Sequence, residues 1–439
     1  MGFGALVACS DDAADAPTPT PTPTPEAGLP DTYKAPVDAA TADVVTPAPL
    51  KPYAAWAVTP QDYNKPGPGG VPPALSFTNK TLRHTMQVSL GGEQIRVRFS
   101  NVFGTAPLVV DGAYAALAKM GSEIDAATGK ALTVGGKANF TIAVGAEAWS
   151  DPVAMTVAAN SKVSVGVFVA NSTPVSTTHR FGNQTTYIGE GNVLSAATIA
   201  NLGDGAPPAT AASYYWVTGI DVYTREPANV LVLLGDSITD GVGSTPDANH
   251  RYGNYLSTLL AADTTKKQVS VINEGLAGNR ILSDGAGDSA IKRFDRDVAG
   301  QTGVTNAFIL LGINDIGFCV LAPPTCKTSA EITGGITTLI GKAKAKGIKV
   351  QVATLMPFKG ATVFGAPYYD AAAETKRGEV NTFIKALTTT DGIVDLATVM
   401  KDPADELLLK TTFDIGDHLH PNDMGYSTLA GAFDLTRLR

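Results

Sequence analysis

Residues 230–243 read VLVLLGDSITDGVG. The apolar run 230–234 has the length of a strand buried on both faces, and it stops at Gly235-Asp236-Ser237, where turn-forming residues take over. This predicts a strand that turns into a helix with the Ser237 hydroxyl at the turn. A Ser hydroxyl is a poor nucleophile near neutral pH unless a positioned base takes its proton and donors stabilise the oxyanion that forms. The rest of the chain is read for those two provisions.

Downstream of 225–227 the rhythm is short apolar strands alternating with longer helical segments. Strands are expected at 230–234, 269–273, 306–311, 349–354 and 392–395, and helices at 252–262, 291–298, 329–346, 371–388 and 425–438. That alternation predicts a parallel sheet covered on both faces. Reactive groups in such sheets gather at the carboxyl ends of the strands, where Ser237 falls. Upstream, from 53 to about 224, the signals are all of strands. Met86, Val88 and Leu90 alternate with polar residues, Gly91-Gly92 follows, and Ile95, Val97 and Phe99 resume the alternation, the pattern of a hairpin. Further pieces at 132–134, 140–144, 153–157, 163–169 and 215–223 predict an all-β sandwich or jelly roll. The expected organisation is a linker over 1–52, a β-domain over 53–226 and an α/β domain over 227–439.

Two domains are the natural outcome for 439 residues. With 17% charged and 44% hydrophobic residues and a net charge of -8, the composition is that of a soluble globular protein and argues against nucleic acid or an anionic membrane as main partner. A small or neutral substrate fits better. Cys9 follows Leu6-Val7-Ala8 and precedes Ser10-Asp11-Asp12, which resembles a bacterial lipobox, although residues 1–8 lack a basic segment and most of an apolar one. Residues 17–25 read PTPTPTPTP, a stiff extended spacer suited to a tether. Together these lead to an expectation of export to the bacterial periplasm or cell surface with a lipid anchor at Cys9, against the plainer reading of an accidental Cys. Cys319 and Cys326 flank Pro323-Pro324; in an exported protein that spacing reads as a local disulfide, in a cytosolic one as two thiols. No stretch has the roughly eighteen uninterrupted apolar residues of a membrane span.

Near the C-terminus stands Asp417-His418-Leu419-His420-Pro421-Asn422. A carboxylate three residues before a His, in a loop held by Pro421, can fold back onto Nδ1 and leave Nε2 free as a base. His418 is read as a rim residue, since its neighbour Asp417 cannot easily reach its ring. Oxyanion donors are available at two strand ends. In NEGLAGNR, residues 273–280, Gly278 lets a bare N–H approach a ligand, and in Gly312-Ile313-Asn314-Asp315 the Asn314 amide can aim at the same point. Asp236 and Asp315 read better as caps of the turns beside them than as further acids. Asn279 and Arg280 suit a clamp between loops as well as a substrate contact. The aromatic segment 356–369 suits a pocket wall or a cover for the sheet edge.

Taken in order, these blocks resemble the SGNH hydrolase family, also called GDSL esterases and lipases, over about 228–439. The family's Ser, Gly, Asn and His fall on Ser237, Gly278, Asn314 and His420, and Asp417 matches its third triad member; the fourth letter of GDSL is Ile238 here. The resemblance implies a flavodoxin-like three-layer fold, no metal or other cofactor, and hydrolysis through an acyl-enzyme. Asn79-Lys80-Thr81-Leu82-Arg83, Ser100-Asn101-Val102-Phe103-Gly104 and Trp149-Ser150-Asp151-Pro152 look, more loosely, like the N-terminal domain of a subgroup similar to bacterial arylesterases and acetylxylan esterases. The expected activity is a carboxylesterase on short acyl esters, with acetyl groups on carbohydrate as one candidate. Thioesterase or lysophospholipase activity would use the same residues. From another class, the protein could be a surface-anchored carbohydrate-binding protein with an idle esterase half, in which Trp56, Trp149 and Trp216 are sugar platforms instead of core.

Overall fold

Alternating apolar residues bring the strand-rich half into two antiparallel sheets over one core. The computed structural model of the chain describes Thr20 and residues 47–66, 70–199 and 209–439, so Cys9 and the 17–25 tract apart from Thr20 lie outside the described residues. One sheet runs from β1 (Lys51–Ala57) through Val217–Thr224 to Gly92–Ser100, onto which Glu147–Trp149 and Val153–Val157 both pair. The other has the order Ala209–Ala211, Thr186–Glu190, Lys80–Gln87, Lys162–Val169, Gly112–Ala118, Ile124–Leu132. Leu82, Met86, Val163 and Val165 of the second sheet meet Ile95, Val97, Phe99 and Val222 of the first in a common buried core, as facing sheets require.

The hairpin expected across Gly91-Gly92 does not form. Lys80–Gln87 and Gly92–Ser100 belong to different sheets, and residues 88–91 carry the chain from one to the other. Val88 and Leu90 are buried, the Val88 N–H donates to Ser161 C=O (3.0 Å) and the Ser89 N–H to Ala55 C=O (2.8 Å). The glycine at 92 serves close approach instead of a turn: a Cβ there would sit 2.4 Å from the Tyr223 carbonyl oxygen.

In the second half the longest apolar run takes the most covered position. β2 (Ala228–Gly235), β3 (Gln268–Gly275), β4 (Asn306–Leu310), β5 (Lys349–Ala353) and β6 (Gly392–Val394) form a parallel sheet in the order β3-β2-β4-β5-β6. This is the flavodoxin-like order, and every residue of β2 is buried. The main helices are α1 (Ser237–Asp240), α2 (Tyr252–Ala261), α3 (Ala290–Phe294), α4 (Ile313–Leu321), α5 (Ser329–Ala345), α6 (Ala371–Lys385) and α7 (Asp423–Gly431), with one further single turn of helix at Leu396–Val399. Among them α2 packs with α7, whereas α3 packs with α5, and α6 with both α4 and α5. Three differ from the sequence reading. The helix expected over 291–298 becomes α3 followed by a π turn, Asp295–Ala299. The one expected over 425–438 ends at Gly431, with a separate 3-10 turn at Leu435–Leu438. α4 occupies a stretch to which the sequence reading assigned no element, because Gly317 interrupts its apolar stripe.

The two cores lie in one unit, Pro47–Arg439, and β1 belongs to both. Ala55 faces the sandwich core, while Ala54 and Ala57 face the core of the parallel sheet. The Ala54 N–H donates to Thr302 C=O (2.9 Å), and Ser270 Oγ, on β3, lies 2.8 Å from Ser89 Oγ and donates to Ala54 C=O (2.5 Å). Among the described residues no helix is long and apolar enough to cross a membrane.

Candidate active site

Ser237 is the first residue of α1, at the carboxyl end of β2, a strand end as read from the sequence. Asp236 caps that helix: its Oδ1 accepts the Ile238 N–H (3.1 Å). The base arrives from the loop before α7. Asn422 caps α7 by accepting the Gly425 N–H (3.0 Å), and main-chain bonds from Asn422 N–H to Phe413 C=O and from Ile415 N–H to His420 C=O close the loop on itself. Within it, Asp417 Oδ1 accepts the N–H groups of Leu419 and His420, both at 2.9 Å, and Oδ2 lies 2.6 Å from His420 Nδ1. His420 Nε2 is 2.8 Å from Ser237 Oγ. A carboxylate can only accept, so the ring proton belongs on Nδ1 and Nε2 is left to take the Ser237 proton. Burial alone would push Asp417 up, but the bond from the His420 ring, the charge of that ring and the two amides outweigh it and hold the carboxyl below its usual range. His418 turns away from this line, with its exposed ring 2.6 Å from Asp414.

The expected oxyanion donors converge on the same cavity as Ser237 and His420. Gly278 has φ 78°, and the Asn279 N–H closes a turn onto Leu276 C=O (2.9 Å). A positive φ at the third position of such a turn is what glycine permits. Asn314, in the first turn of α4, is held at both ends of its amide: Tyr368 Oη donates to Oδ1 (2.7 Å), and Nδ2 donates to Asn279 C=O (3.0 Å). That fixes which end carries the hydrogens and leaves the second Nδ2 hydrogen for the cavity.

The supporting shell contains residues that the sequence reading classed differently or passed over. Asp315 does not cap a turn beside it; its two oxygens accept the N–H groups of Ile281 (2.9 Å) and Leu282 (3.3 Å), joining α4 to the loop after the oxyanion glycine. Burial pushes its carboxyl up to about 6 and that of Asp236 up to about 7. Asn279 is a clamp: its side chain donates to Asp288 C=O (2.9 Å) and accepts from Arg293 Nε (3.0 Å). Arg293, fully buried, also donates to the carbonyls of Gly235 and Glu274, each at 2.9 Å, and so ties the ends of β2 and β3 to the oxyanion loop. Its spacing to Asp297 on the buried face of a helix was a legible cue, because a buried Arg needs a partner. Thr59 of the strand-rich half accepts from Arg293 (2.9 Å) and donates to Glu274 (2.8 Å), a contact with no sequence signal.

The cavity in front of Ser237 measures about 680 Å³. Of the two jobs considered for segment 356–369, the structure shows the pocket wall. Phe358 is buried in the core, whereas the small hairpin Thr362–Val363/Ala366–Pro367 puts Val363 and the exposed Phe364 on the cavity wall. Arg280 lines the same cavity. Another wall is the end of α4 and the turn after it, which the Cys319–Cys326 disulfide staples together. Pro66 and Phe181 come from the strand-rich half, so the cavity is built by both. The tryptophans are elsewhere: Trp216 is buried in the sandwich core, Trp56 packs edge to face on Tyr214, and Trp149 lies under the guanidinium groups of Arg96 and Arg98.

Residues 233–427 match the GDSL-like Lipase/Acylhydrolase family. No curated protein matches the sequence. Similar solved structures include a GDSL-like lipase from Bacteroides thetaiotaomicron (18% identity, 48% of this chain and 87% of that one, TM-score 0.36). Another is the native aryl esterase of M. smegmatis (19% identity, 48% of this chain and 100% of that one, TM-score 0.37). A third is a catalytic mutant of an acetylxylan esterase from Geobacillus stearothermophilus (22% identity, 48% of this chain and 95% of that one, TM-score 0.36). Ser237, His420 and Asp417, joined by hydrogen bonds, all lie inside the matched segment; residues 233–427 form a GDSL-like lipase/acylhydrolase domain, and the chain that carries it is a serine esterase.

Proposed function

We propose that the protein is a carboxylesterase that works through an acyl-enzyme on Ser237 and prefers esters with an apolar acyl or alcohol group. The observation that carries the reading is the unbroken relay from Ser237 Oγ to His420 Nε2 (2.8 Å) and from Nδ1 to Asp417 (2.6 Å). Ser237 Oγ attacks the ester carbonyl while Nε2 takes its proton, and Asp417 stabilises the imidazolium. The Ser237 and Gly278 N–H groups and the Asn314 amide receive the oxyanion. Collapse returns the proton to the departing alcohol oxygen and leaves an acyl-Ser237 ester. Water, deprotonated by His420, then releases the acid and restores the hydroxyl.

Substrate preference follows from the cavity. Its volume suits a small organic molecule, and Val242, Phe318, Leu321, Val363, Phe364 and Leu419 present hydrocarbon to it. An acetylated sugar would leave most of that wall against hydroxyl groups. Acetylated xylan is therefore the comparator in the test, beside a nitrophenyl ester series from acetate to octanoate, with Ser237→Ala as control. We expect kcat/KM to rise from acetate toward medium chains and Ser237→Ala to lose nearly all turnover. Acetate release from xylan outpacing every nitrophenyl ester would reverse the substrate reading, and wild-type turnover by Ser237→Ala would end the mechanistic one. We propose export as well, a reading supported by the Cys319–Cys326 bond, since such bonds persist in oxidising compartments. Cell fractionation, with the protein found wholly in the cytosol, would overturn it.

A further inference from the structure

We infer that His179, in the strand-rich half, is a positioning residue for the oxyanion loop, and that the β-half therefore takes part in the chemistry of the α/β half. The inference rests on the ester-hydrolysis reading of Ser237.

His179 ends the short strand Thr177–His179 and is almost completely buried. Its Nδ1 lies 2.9 Å from Thr59 C=O and its Nε2 lies 3.0 Å from Asp240 Oδ1. A carbonyl can only accept, so Nδ1 carries a hydrogen. A proton must also sit at the Nε2–Asp240 contact, because two bare acceptors would repel there. Asp240, itself buried, is the last residue of the helix that Ser237 begins, and its Oδ2 accepts the Ala277 N–H (2.9 Å). Ala277 precedes Gly278, whose N–H is an oxyanion donor. His179 thus holds one carboxylate oxygen, the other oxygen holds the loop, and the same residue terminates the nucleophile helix. Further bonds brace the contact: Arg251 donates through Nε to Asp240 C=O (2.6 Å) and through Nη2 to Gly182 C=O in the strand-rich half. Without the hydrogen bond at Nε2 the Asp240 carboxyl loses one of its restraints, and the Ala277 amide loses its fixed acceptor.

The two amide replacements separate this role from simple packing. His179→Gln puts an N–H near the Nε2 position and keeps the donor to Asp240; His179→Asn puts one near Nδ1 and keeps only the bond to Thr59. With a nitrophenyl ester we expect His179→Gln to retain kcat within about threefold and His179→Asn to lose about tenfold or more, both with KM within about twofold. Asp240→Asn keeps an acceptor for the Ala277 N–H and should behave like the Gln variant. Hydrogen exchange of the Ala277 amide, which needs no turnover, should speed up in His179→Asn alone. Equal kcat in the Gln and Asn variants, a loss in Asp240→Asn as large as that in His179→Asn, or unchanged Ala277 protection would overturn the inference. Wild-type and Ser237→Ala measurements run alongside: absence of Ser237-dependent turnover defeats the hydrolase reading, while the exchange experiment still decides the positioning role.

Discussion

Removing one hydroxyl, in Tyr368→Phe, tests how the oxyanion site is aimed. The Asn314 amide is fixed by two bonds, from Tyr368 Oη to Oδ1 (2.7 Å) and from Nδ2 to Asn279 C=O (3.0 Å). Loss of an entire oxyanion donor costs about 2.7 to 4 kcal/mol in the transition state, or roughly two to three orders of magnitude. Tyr368→Phe leaves the donor in place and removes one of its two restraints, worth about 1 to 1.5 kcal/mol as a buried bond. With 1.4 kcal/mol per factor of ten, the fall in kcat should be about fivefold to tenfold, well short of Asn314→Ala. The assay is a double-mutant cycle on kcat and KM with a nitrophenyl ester. If Tyr368 acts through Asn314, Tyr368→Phe should cost less than about twofold once Asn314 is already Ala. An equal loss in both backgrounds, or a change confined to KM, would refute the reasoning and make Tyr368 only a wall of the cavity.

Gly317→Ala should harm the same restraint from the other side, because a Cβ at 317 would lie 2.0 Å from the Tyr368 ring. We expect loss of stability of about 1 to 3 kcal/mol despite the better helix propensity of Ala, with kcat falling at least as far as in Tyr368→Phe; an unchanged denaturation midpoint counts against it. Burial pushes the His84 imidazole down from 6.5 to about 3, so between those values the unfolded chain binds a proton that the folded protein does not. Stability is whole above about pH 6.5 and is lost as pH falls toward 3, by on the order of 5 kcal/mol, and His84→Met should flatten that acid limb of the urea midpoint; a limb of unchanged slope assigns the loss to other groups. Replacing both cysteines of the Cys319–Cys326 bond by Ser should lower Tm by about 2 to 4 °C, from about 2.5 kcal/mol of chain entropy. Turnover of medium-chain esters should fall more than turnover of acetate, since the bond holds a wall of the cavity; equal loss for both would contradict that.

The residues that converge on the cavity were legible in the sequence because each sits at a local signal: a strand end followed by Gly-Asp-Ser, a glycine in a turn, and a carboxylate three residues before a histidine. The parallel sheet followed as readily from apolar runs separated by helical stretches, whereas its flavodoxin-like order was implied only by the family resemblance. What stayed hidden depends on contacts between distant segments. Gly91-Gly92 has the composition of a turn, yet the glycine at 92 is there because the Tyr223 backbone passes close to it. Helix α4 was masked because its Gly317 makes room for Tyr368, and a residue chosen for another segment's ring weakens its own helix pattern. Asp315 reads as a cap by position, but its acceptors are used by amides more than thirty residues earlier. His179 carries no local cue: its partners Thr59 and Asp240 come from distant parts of the chain.

The double allegiance of β1 bears on how the protein can be dissected. Its alanines fill the interior on either side of it, and Ser89 and Ser270 knit the neighbouring backbone across the seam. A fragment beginning near residue 227 would leave β3 without that seal and the catalytic mouth without Phe181 and Pro66. An inactive or sticky C-terminal piece would then say little about whether the intact enzyme turns over ester, and a strand-rich piece made alone would be no fair sample of what that half binds. Questions about the division of labour in this protein have to be put one side chain at a time.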